Sequence, residues 1–327
     1  MKIAIVGATG EVGRMMITCL EEFRVDAELH LFASERSEGK TLYYNEETLK
    51  VRKLTEDALR EKYDYVLMSA GGAVSKYYAP IAAAAGNTVI DNSSAWRRES
   101  GIPLVVPEIN GGLLKGYAGI VANPNCSTIQ MVLALSPLHK LYGLEMVVVS
   151  TYQSVSGSGH KGVQTLQQQR QGSSDNGIYP EKIDLNVIPQ IGAFQDDGYC
   201  QEEEKMQFET MRILALPELK ISATTVRVPV YYGHSESVYA GFAREADLQE
   251  AGKALAAAPS VRFHDNTYFT PINCLKSNDS HISRLRYGTD RHSLCFWNVG
   301  NNVRLGAATN AVRILLRHLE LNKEQDR

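Results

Sequence analysis

The first part of the chain alternates short apolar runs with stretches of helical periodicity. The apolar runs are Lys2–Val6, Glu28–Phe32, Tyr65–Met68 and Thr88–Ile90. Runs of this length predict strands of a buried parallel sheet. A helix is predicted after the first run, to about Phe23, and another from about Ser75 to Ala85. Strands and helices in alternation predict an α/β fold.

The second half of the chain is mixed. Met146–Tyr152 and Thr225–Val230 read as strands. Between them, residues 171–200 are rich in Gly, Ser, Asn, Asp and Pro, which predicts a long surface excursion. A last helix opens at Gly306–Ala308, and its tail, residues 322–327, is expected to fray.

Three glycines follow the first strand directly. Gly7, Gly10 and Gly13 are related to the dinucleotide-binding fingerprint, which needs a tight turn and close approach to a pyrophosphate. The following helix would carry the phosphates at its N-terminus. Their place between a strand and a helix favours a nucleotide site over a plain tight turn.

The end of the second strand bears on which cofactor binds. Arg36, with Ser34 and Ser37, could hold a 2′-phosphate and so favours NADP. Glu35 is the contrary signal, because an acid at this point could bind the 2′-hydroxyl of NAD. A solvated charged loop is the simplest alternative.

Small or polar residues also end the later strands. Ser69–Gly72 follows one and Asp91–Ser94 follows the next. Ligands of doubly wound sheets bind at the carboxyl ends of strands. We therefore expect residues 92–97 to face the cofactor or the substrate.

One cysteine lies where a loop becomes a helix. Cys126 follows Asn125, a suitable N-cap, and an apolar stripe at helical spacing begins at Ile129. A thiol at a helix N-terminus is favoured as the thiolate, a strong nucleophile. A lone cysteine is nevertheless more often an inert apolar residue.

Further candidate groups follow Cys126 in the chain. Arg227, in a strand-like stretch, is suited to clamp a carboxylate, and His234 could serve as a general base. A metal site at His234 and Glu236 is disfavoured by their spacing. The acidic run that starts at Glu202 reads, from composition, as a solvated first helical turn.

Bulk properties narrow the class of protein. The chain has 327 residues, 44% of them hydrophobic, and a formal charge of -3, so neither nucleic acid nor an anionic membrane is an expected partner. Its five scattered cysteines, the lack of a signal-like start and the lack of a membrane-spanning run predict a cytoplasmic protein.

Taken together, these motifs resemble the aspartate-semialdehyde dehydrogenase family across essentially the whole chain. The matching stretches, in chain order, are Gly7–Gly13, Ser34–Lys40, Asp91–Arg97, Val106–Asn110, Asn123–Thr128, Ser150–Gly159, Glu202–Met206, Val226–Val230 with His234–Ser237, and Gly306–Ala308. Each stretch is weak evidence alone. Nine of them in the order of the family make coincidence very improbable.

The resemblance implies a reaction and an architecture. The family converts L-aspartyl 4-phosphate and NADPH reversibly to L-aspartate 4-semialdehyde, NADP and phosphate, on the route to lysine, diaminopimelate, threonine and methionine. It implies a cytoplasmic homodimer or homotetramer. A Rossmann-like NADP-binding domain, residues 1–125 completed by a C-terminal helix in 301–327, would precede an α+β catalytic and dimerisation domain, residues 126–300.

The resemblance also implies roles for individual residues. Cys126 would be the nucleophile, His234 the acid/base and Gln153 the group that orients the substrate. The implied substrate contacts are Arg227 to the α-carboxylate, Glu202 to the amino group, Arg97, Asn125 and Lys205 to phosphate, and the Ser156–Gly157 loop to substrate or cofactor. The implied NADP contacts are Gly7, Thr9, Gly10, Glu11, Val12, Gly13, Ser34, Arg36, Ser37 and Asn302. No metal is implied.

Three alternatives remain at this point. An N-acetyl-glutamyl-phosphate reductase would use the same chemistry, but it has no use for an acid at Glu202 because its substrate amine is acetylated. Glyceraldehyde-3-phosphate dehydrogenase has different residues around its cysteine. A non-catalytic NADP-binding paralogue would be expected to lose the cysteine, the histidine or the arginine clamp, and all three are present.

Overall fold

The computed structural model describes residues 1–323. The chain forms two compact units. The first comprises residues 1–124 and the segment that starts at Ala307, and the second comprises residues 125–306. No helix among the described residues is long and apolar enough to span a bilayer.

A six-stranded parallel sheet lies at the centre of the first unit. Its strands are β1 (Lys2–Val6), β2 (Glu28–Ala33), β5 (Arg52–Lys53), β6 (Tyr65–Met68), β7 (Thr88–Asp91) and β8 (Ile120–Ala122). Their order is β5-β2-β1-β6-β7-β8, with every pair parallel. A small hairpin, β3 (Thr41–Tyr44) and β4 (Glu47–Lys50), lies between β2 and β5 in the chain.

Helices cover both faces of this sheet. They are α1 (Glu11–Glu22), α2 (Glu56–Arg60), α3 (Gly72–Ala84), the short α4 (Pro107–Asn110) and α9 (Asn310–Lys323). Along β1, Ile3 and Ile5 belong to the core cluster that includes α1 and α9. The alternate residues Ala4 and Val6 belong to the cluster that includes α2 and α3. Because both faces are buried, the strands read as continuous apolar runs.

The predicted α/β architecture of this unit is confirmed. All four predicted strands form, and the helix predicted from Ser75 begins three residues earlier, at Gly72. Of the tail expected to fray, Asn322 and Lys323 still belong to α9, and residues 324–327 lie outside the described residues.

A mixed six-stranded sheet organises the second unit. Its strands are β9 (Leu144–Gln153), β10 (Lys220–Arg227), β11 (His234–Phe242), β12 (Val261–His264), β13 (Ser280–Tyr287) and β14 (Ser293–Gly300). Their order is β10-β9-β11-β14-β13-β12, parallel at both outer pairs and antiparallel between them. The helices are α5 (Cys126–Tyr142), α6 (His160–Arg170), α7 (Gln201–Leu214) and α8 (Leu248–Ala257).

One face of this sheet is buried under α5 and its neighbours α7 and α8. Along β9, Val147 and Val149 point to that side and are buried. The alternate residues Met146, Val148 and Tyr152 are 40%, 43% and 38% exposed. The other face of the sheet thus presents apolar side chains to its surroundings.

One predicted strand is misplaced. The strand predicted at Thr225–Val230 spans Lys220–Arg227, so it starts earlier and ends at Arg227. Pro229 fixes its own φ and has no N–H to donate, which disfavours continuation of the ladder. The predicted surface excursion is confirmed, because no helix or strand forms between Arg170 and Gln201.

Candidate active site

The cysteine predicted as a nucleophile is the first residue of α5. Asn125 is the N-cap, and its Oδ1 accepts hydrogen bonds from the backbone N–H of Ser127 at 2.9 Å and of Thr128 at 3.2 Å. The prediction of a thiol in a capped helix N-terminus is confirmed. Such a position favours a thiolate through the helix dipole.

A glycine leaves no free volume behind this cysteine. A Cβ built on Gly306 would lie 2.5 Å from Cys126 Cβ and 2.9 Å from Cys126 Cα. Both distances are far below van der Waals contact. Cys126 Cα is a backbone atom, and Cys126 Cβ is bonded directly to it. Gly306 therefore fixes the start of α5, a role that the sequence pattern did not suggest.

Three strands of the second unit bring polar side chains to one edge of the sheet. Gln153 ends β9 and pairs with Arg227, which ends the parallel strand β10. His234 begins β11, which runs antiparallel to β9. Because ends of parallel strands and the start of an antiparallel one meet at one edge, these three predicted residues converge.

His234 is fully buried and its tautomer is set by the neighbouring loop. Its Nδ1 accepts a hydrogen bond from the backbone N–H of Ser154 at 3.1 Å. In the neutral ring the proton therefore resides on Nε2, which has no partner among the described residues. Burial, together with the nearby Arg227 guanidinium, lowers the pKa of His234 to about 3. The ring is thus a neutral donor at physiological pH.

Arg227 is held beside this histidine. Its Nη1 donates to the backbone carbonyl of Ser154 at 2.7 Å, and the residue is buried. A Cβ built on Gly157 would lie 2.7 Å from Arg227 Nη1 and 3.2 Å from His234 Nε2. Gly157 therefore lies directly against both side chains and leaves no room for a larger residue.

A buried carboxylate joins these groups to α5. Glu202 accepts from Asn125 Nδ2 at 2.8 Å, from Gln153 Nε2 at 3.3 Å and from Lys205 Nζ at 3.1 Å. Burial alone would raise the pKa of Glu202, but Lys205, Asn125 and Arg227 lower it to about 2. The side chain is ionised and surrounded by donors.

The solvated reading of this acidic run is wrong. Glu202 and Glu203 are 5% and 7% exposed. Glu203 accepts from the backbone N–H of Cys200 and of Thr225, so it joins the first turn of α7 to β10. The first turn of α7 is inside the unit because its acids find donors there.

Asn302 is bonded within the same cluster. Its Oδ1 accepts from Ser154 Oγ and Ser156 Oγ, both at 3.2 Å, and from the backbone N–H of Gly233 at 2.9 Å. The residue predicted as a cofactor contact is thus buried, and it connects the loop after β9 to the residue before His234.

Two residues of this cluster were not identified from the sequence. The backbone N–H of Ser154 donates to His234 Nδ1 and its backbone carbonyl accepts from Arg227, and only its place after Gln153 in a polar loop could have suggested this. Glu209 is buried and accepts from the backbone N–H of Asn125 at 2.6 Å. Its position seven residues after Glu202 places both acids on one face of α7, which is the signal that was missed.

The glycine loop of the first unit has the geometry of a nucleotide cradle. Gly7 has φ +84°, and a Cβ there would lie 2.3 Å from the carbonyl oxygen of Ser69. A Cβ on Gly13 would lie 2.2 Å from the carbonyl oxygen of Gly7. Gly10 precedes α1 and provides no side-chain cap, so the helix starts at Glu11 and Val12 with its N–H groups uncapped by a side chain. These residues fit a bound pyrophosphate.

The loop after β2 lies beside this cradle. Ser34 precedes a short 3₁₀ turn over Glu35–Ser37, and Thr9 Oγ1 donates to Ser37 Oγ at 3.2 Å. Arg36 is exposed. The Glu35 carboxylate is 3.1 Å from Lys53 Nζ on the neighbouring strand β5. Glu35, the residue that favours NAD, is therefore paired with a cation.

Arg97 lies in the first unit, downstream of β7. It is buried, and its Nη2 donates to the carbonyl oxygen of Asn92 at 2.9 Å. No group of three His, Cys, Asp or Glu side chains that could hold a metal occurs in the part of the chain that the structure describes.

Two family models match the chain, one for each unit. The model described as "Semialdehyde dehydrogenase, NAD binding domain" matches residues 2–117, and that described as "Semialdehyde dehydrogenase, dimerisation domain" matches residues 135–305. The fold and site thus define a semialdehyde dehydrogenase with a domain for a nicotinamide cofactor and a dimerisation domain.

Individual relatives narrow this class. Aspartate-semialdehyde dehydrogenase of Aquifex aeolicus is 46% identical over 330 residues and that of Bacillus subtilis 42% over 334, each with 96% of both chains covered. The structure of Vibrio cholerae aspartate semialdehyde dehydrogenase II complexed with ASA is 38% identical, with a TM-score of 0.95 and 98% of both chains covered. The chain belongs to the aspartate-semialdehyde dehydrogenase family. The resemblance predicted from the sequence is confirmed, and the reductase and paralogue alternatives are not favoured.

Proposed function

We propose that this chain catalyses the reversible, NADP-dependent conversion of L-aspartyl 4-phosphate to L-aspartate 4-semialdehyde and phosphate. The observation that carries the substrate is a pair of buried charged side chains. Glu202 is an ionised acid bonded to Asn125, the N-cap of the Cys126 helix, and Arg227 is a guanidinium bonded to Ser154. An amino-acid substrate offers an ammonium to one and a carboxylate to the other.

Cys126 is the proposed nucleophile. Its thiolate attacks the acyl carbon of aspartyl phosphate, an S–C bond forms, the C–O bond to phosphate breaks, and phosphate leaves with the bonding pair. Arg97, Lys205 and Asn125 are proposed to bind the phosphate, since charge neutralisation makes it a better leaving group. The product of this step is a thioester on Cys126.

His234 is the proposed acid/base at the acyl oxygen. The neutral ring with its proton on Nε2 supports a place beside that oxygen, because such a tautomer donates a hydrogen bond to an oxygen on which charge develops. This hydrogen bond would stabilise the hemithioacetal oxygen as the intermediate forms and collapses. Gln153 is proposed to orient the acyl group. Bound NADPH supplies the hydride.

Substrate selectivity is assigned to two side chains. Arg227, already fixed by Ser154, is proposed to bind the α-carboxylate in a bidentate manner. Glu202 is proposed to bind the α-ammonium, and the Ser156–Gly157 loop to contact the substrate. An acetylated amine could not satisfy an ionised Glu202, which disfavours an N-acetyl-glutamyl substrate.

NADP is the proposed cofactor. Gly7, Thr9, Gly10, Glu11, Val12 and Gly13 would hold the pyrophosphate, and Ser34, Arg36 and Ser37 the 2′-phosphate, with Asn302 as a further contact. The pairing of Glu35 with Lys53 supports NADP over NAD, because an acid held by a cation competes less for the ribose hydroxyl. Residues 1–125, completed by 301–327, are proposed to form the NADP-binding domain.

The chain is further proposed to act as a cytoplasmic homodimer, or as a tetramer built from such dimers. Two observations support this assembly. One is the match to a dimerisation domain, and the other is the exposed apolar face of the second unit's sheet, which includes Met146, Val148 and Tyr152. The five cysteines are all thiols, which suits a reducing compartment. Residues 126–300 would then provide both catalysis and the subunit contact.

The test is phosphate-dependent reduction of NADP with L-aspartate semialdehyde, with N-acetyl-glutamate semialdehyde as the control substrate. We expect a rate with the first aldehyde alone, lost in Cys126→Ala. A rate with the acetylated aldehyde would overturn the substrate assignment. Tight NADPH binding with no rate on either would favour the non-catalytic paralogue.

A further inference from the structure

The side-chain amide of Asn92 has no hydrogen-bond partner among residues 1–323. Its Nδ2 and Oδ1 are both buried, and neither forms a hydrogen bond within that part of the chain. Buried amide groups without partners are rare, because each lost hydrogen bond costs the full desolvation of the group. An amide that is unpaired at both atoms therefore points to a bound group with both a donor and an acceptor.

The backbone of Asn92 is fixed. Its N–H donates to the carbonyl oxygen of Met68, the last residue of β6, at 3.0 Å. Its carbonyl oxygen accepts from Arg97 Nη2 at 2.9 Å. The side chain is therefore held at the carboxyl edge of the sheet, just beyond β7, and cannot find partners through backbone rearrangement without loss of these bonds.

The position of Asn92 in the sheet indicates which part of a dinucleotide is near. Numbered in chain order, the six parallel strands of the first unit read 3-2-1-4-5-6, and the order reverses between β1 and β6. A dinucleotide lies across this reversal, with one mononucleotide over each half. The glycine loop and Arg36 place the adenosine half over β1 and β2. Asn92, after β7, belongs to the half that receives the nicotinamide nucleotide.

The chemistry of the two unpaired atoms selects one group of that nucleotide. Phosphate at neutral pH offers mainly acceptors and would satisfy Nδ2 alone. The nicotinamide carboxamide offers an N–H donor and a carbonyl acceptor in one plane, which match Oδ1 and Nδ2. We propose that Asn92 binds the carboxamide of the nicotinamide ring through a paired amide–amide contact and thereby orients the ring.

This inference rests on the proposed NADP site and adds a residue to it. The experiment is isothermal titration of three ligands: NADP, its 3-acetylpyridine analogue, and 2′-phospho-ADP-ribose, which lacks the nicotinamide. The analogue replaces the amide NH₂ by a methyl group and so leaves Asn92 Oδ1 without its donor. The variants are Asn92→Ala and the smaller polar change Asn92→Ser.

We expect Asn92→Ala to weaken NADP about tenfold, the effect of two neutral hydrogen bonds, and to leave 2′-phospho-ADP-ribose unchanged. Wild type should bind NADP more tightly than the analogue, and the variant should lose that preference. Asn87→Ser is the matched control, because the Asn87 amide is bonded to Tyr63, Leu59 and Glu61 inside the same unit. It should lower the thermal midpoint but leave the NADP affinity unchanged.

The remaining outcomes count against the assignment to Asn92 or against the proposed NADP site. Wild-type NADP affinity in both Asn92 variants would overturn the assignment to Asn92 and leave water as its partner. An equal loss for NADP and 2′-phospho-ADP-ribose would also overturn it, since the effect would then not concern the nicotinamide. If wild type did not bind 2′-phospho-ADP-ribose, the proposed NADP site would fail, and this inference with it.

Discussion

Gly157→Ala, which adds a single methyl group, should impair substrate binding in a protein that still folds. The added Cβ would lie 2.7 Å from Arg227 Nη1 and 3.2 Å from both Cε1 and Nε2 of His234. The φ of Gly157 is not in the left-handed region, so the effect of Gly157→Ala is steric. Since Arg227 is buried and bonded to Ser154, its guanidinium can yield only by giving up that bond.

The size of the effect follows from this overlap. Overpacking of a well-packed site costs about 1–3 kcal/mol. If the substrate complex bears that cost, kcat/KM for L-aspartate semialdehyde falls roughly 5- to 150-fold. The assay is initial-rate kinetics with a thermal unfolding curve for each variant.

A matched control isolates the cause. Gly112→Ala introduces a Cβ with nothing within 4 Å and should retain wild-type kinetics. Normal kcat/KM in a folded Gly157→Ala would refute the placement of Gly157 against the substrate clamp. An equal loss in Gly112→Ala would mean that the effect is not local.

Three further predictions concern the cofactor, the buried acid and the subunit contact. Arg36→Ala should weaken NADPH far more than NADH in a fluorescence titration, and equal losses would remove the assignment to the 2′-phosphate. Burial raises the pKa of Glu236 well above its ordinary value of 4.5, although hydrogen bonds from the Asn298 and Gln130 amides oppose this shift. Folding therefore takes up a proton above pH 4.5, and the free energy of unfolding falls as the pH rises. The thermal midpoint of Glu236→Gln, measured relative to wild type, should therefore be higher at pH 8 than at pH 4. An equal difference at both pH values would contradict this. Val148→Asp introduces a charge on the exposed sheet face and should shift the protein toward monomers in analytical ultracentrifugation. Glu145→Asp, at another exposed position of the same strand, should not. An unchanged assembly state in Val148→Asp would place the subunit contact elsewhere.

The sequence predicted those features that depend on neighbouring residues. The strands of the first unit are continuous apolar runs because helices cover both faces of the sheet. The cap of α5 was predictable from Asn125 and Cys126, because an Asx residue and the first helical turn interact locally. The catalytic candidates were predicted partly from local sequence patterns of this kind and partly from the resemblance to the family.

Features that depend on tertiary packing were not predictable. Glu202 looks like a solvated acid until α7 is placed beside Asn125 and Gln153. Gly306 looks like a helix start until its distance to Cys126 is known. The unpaired amide of Asn92 likewise needs coordinates, since sequence cannot show which polar atoms lack partners.

In the proposed mechanism Cys126 carries the substrate as a thioester. Stopped-flow reduction of NADP by L-aspartate semialdehyde with phosphate omitted tests this directly. We expect a burst of one NADPH per active site, because the thioester forms but has no phosphate to release it. The burst should be absent in Cys126→Ser, which should still bind NADPH. A full burst in that variant, or steady turnover without phosphate in wild type, would mean that no thioester forms on Cys126.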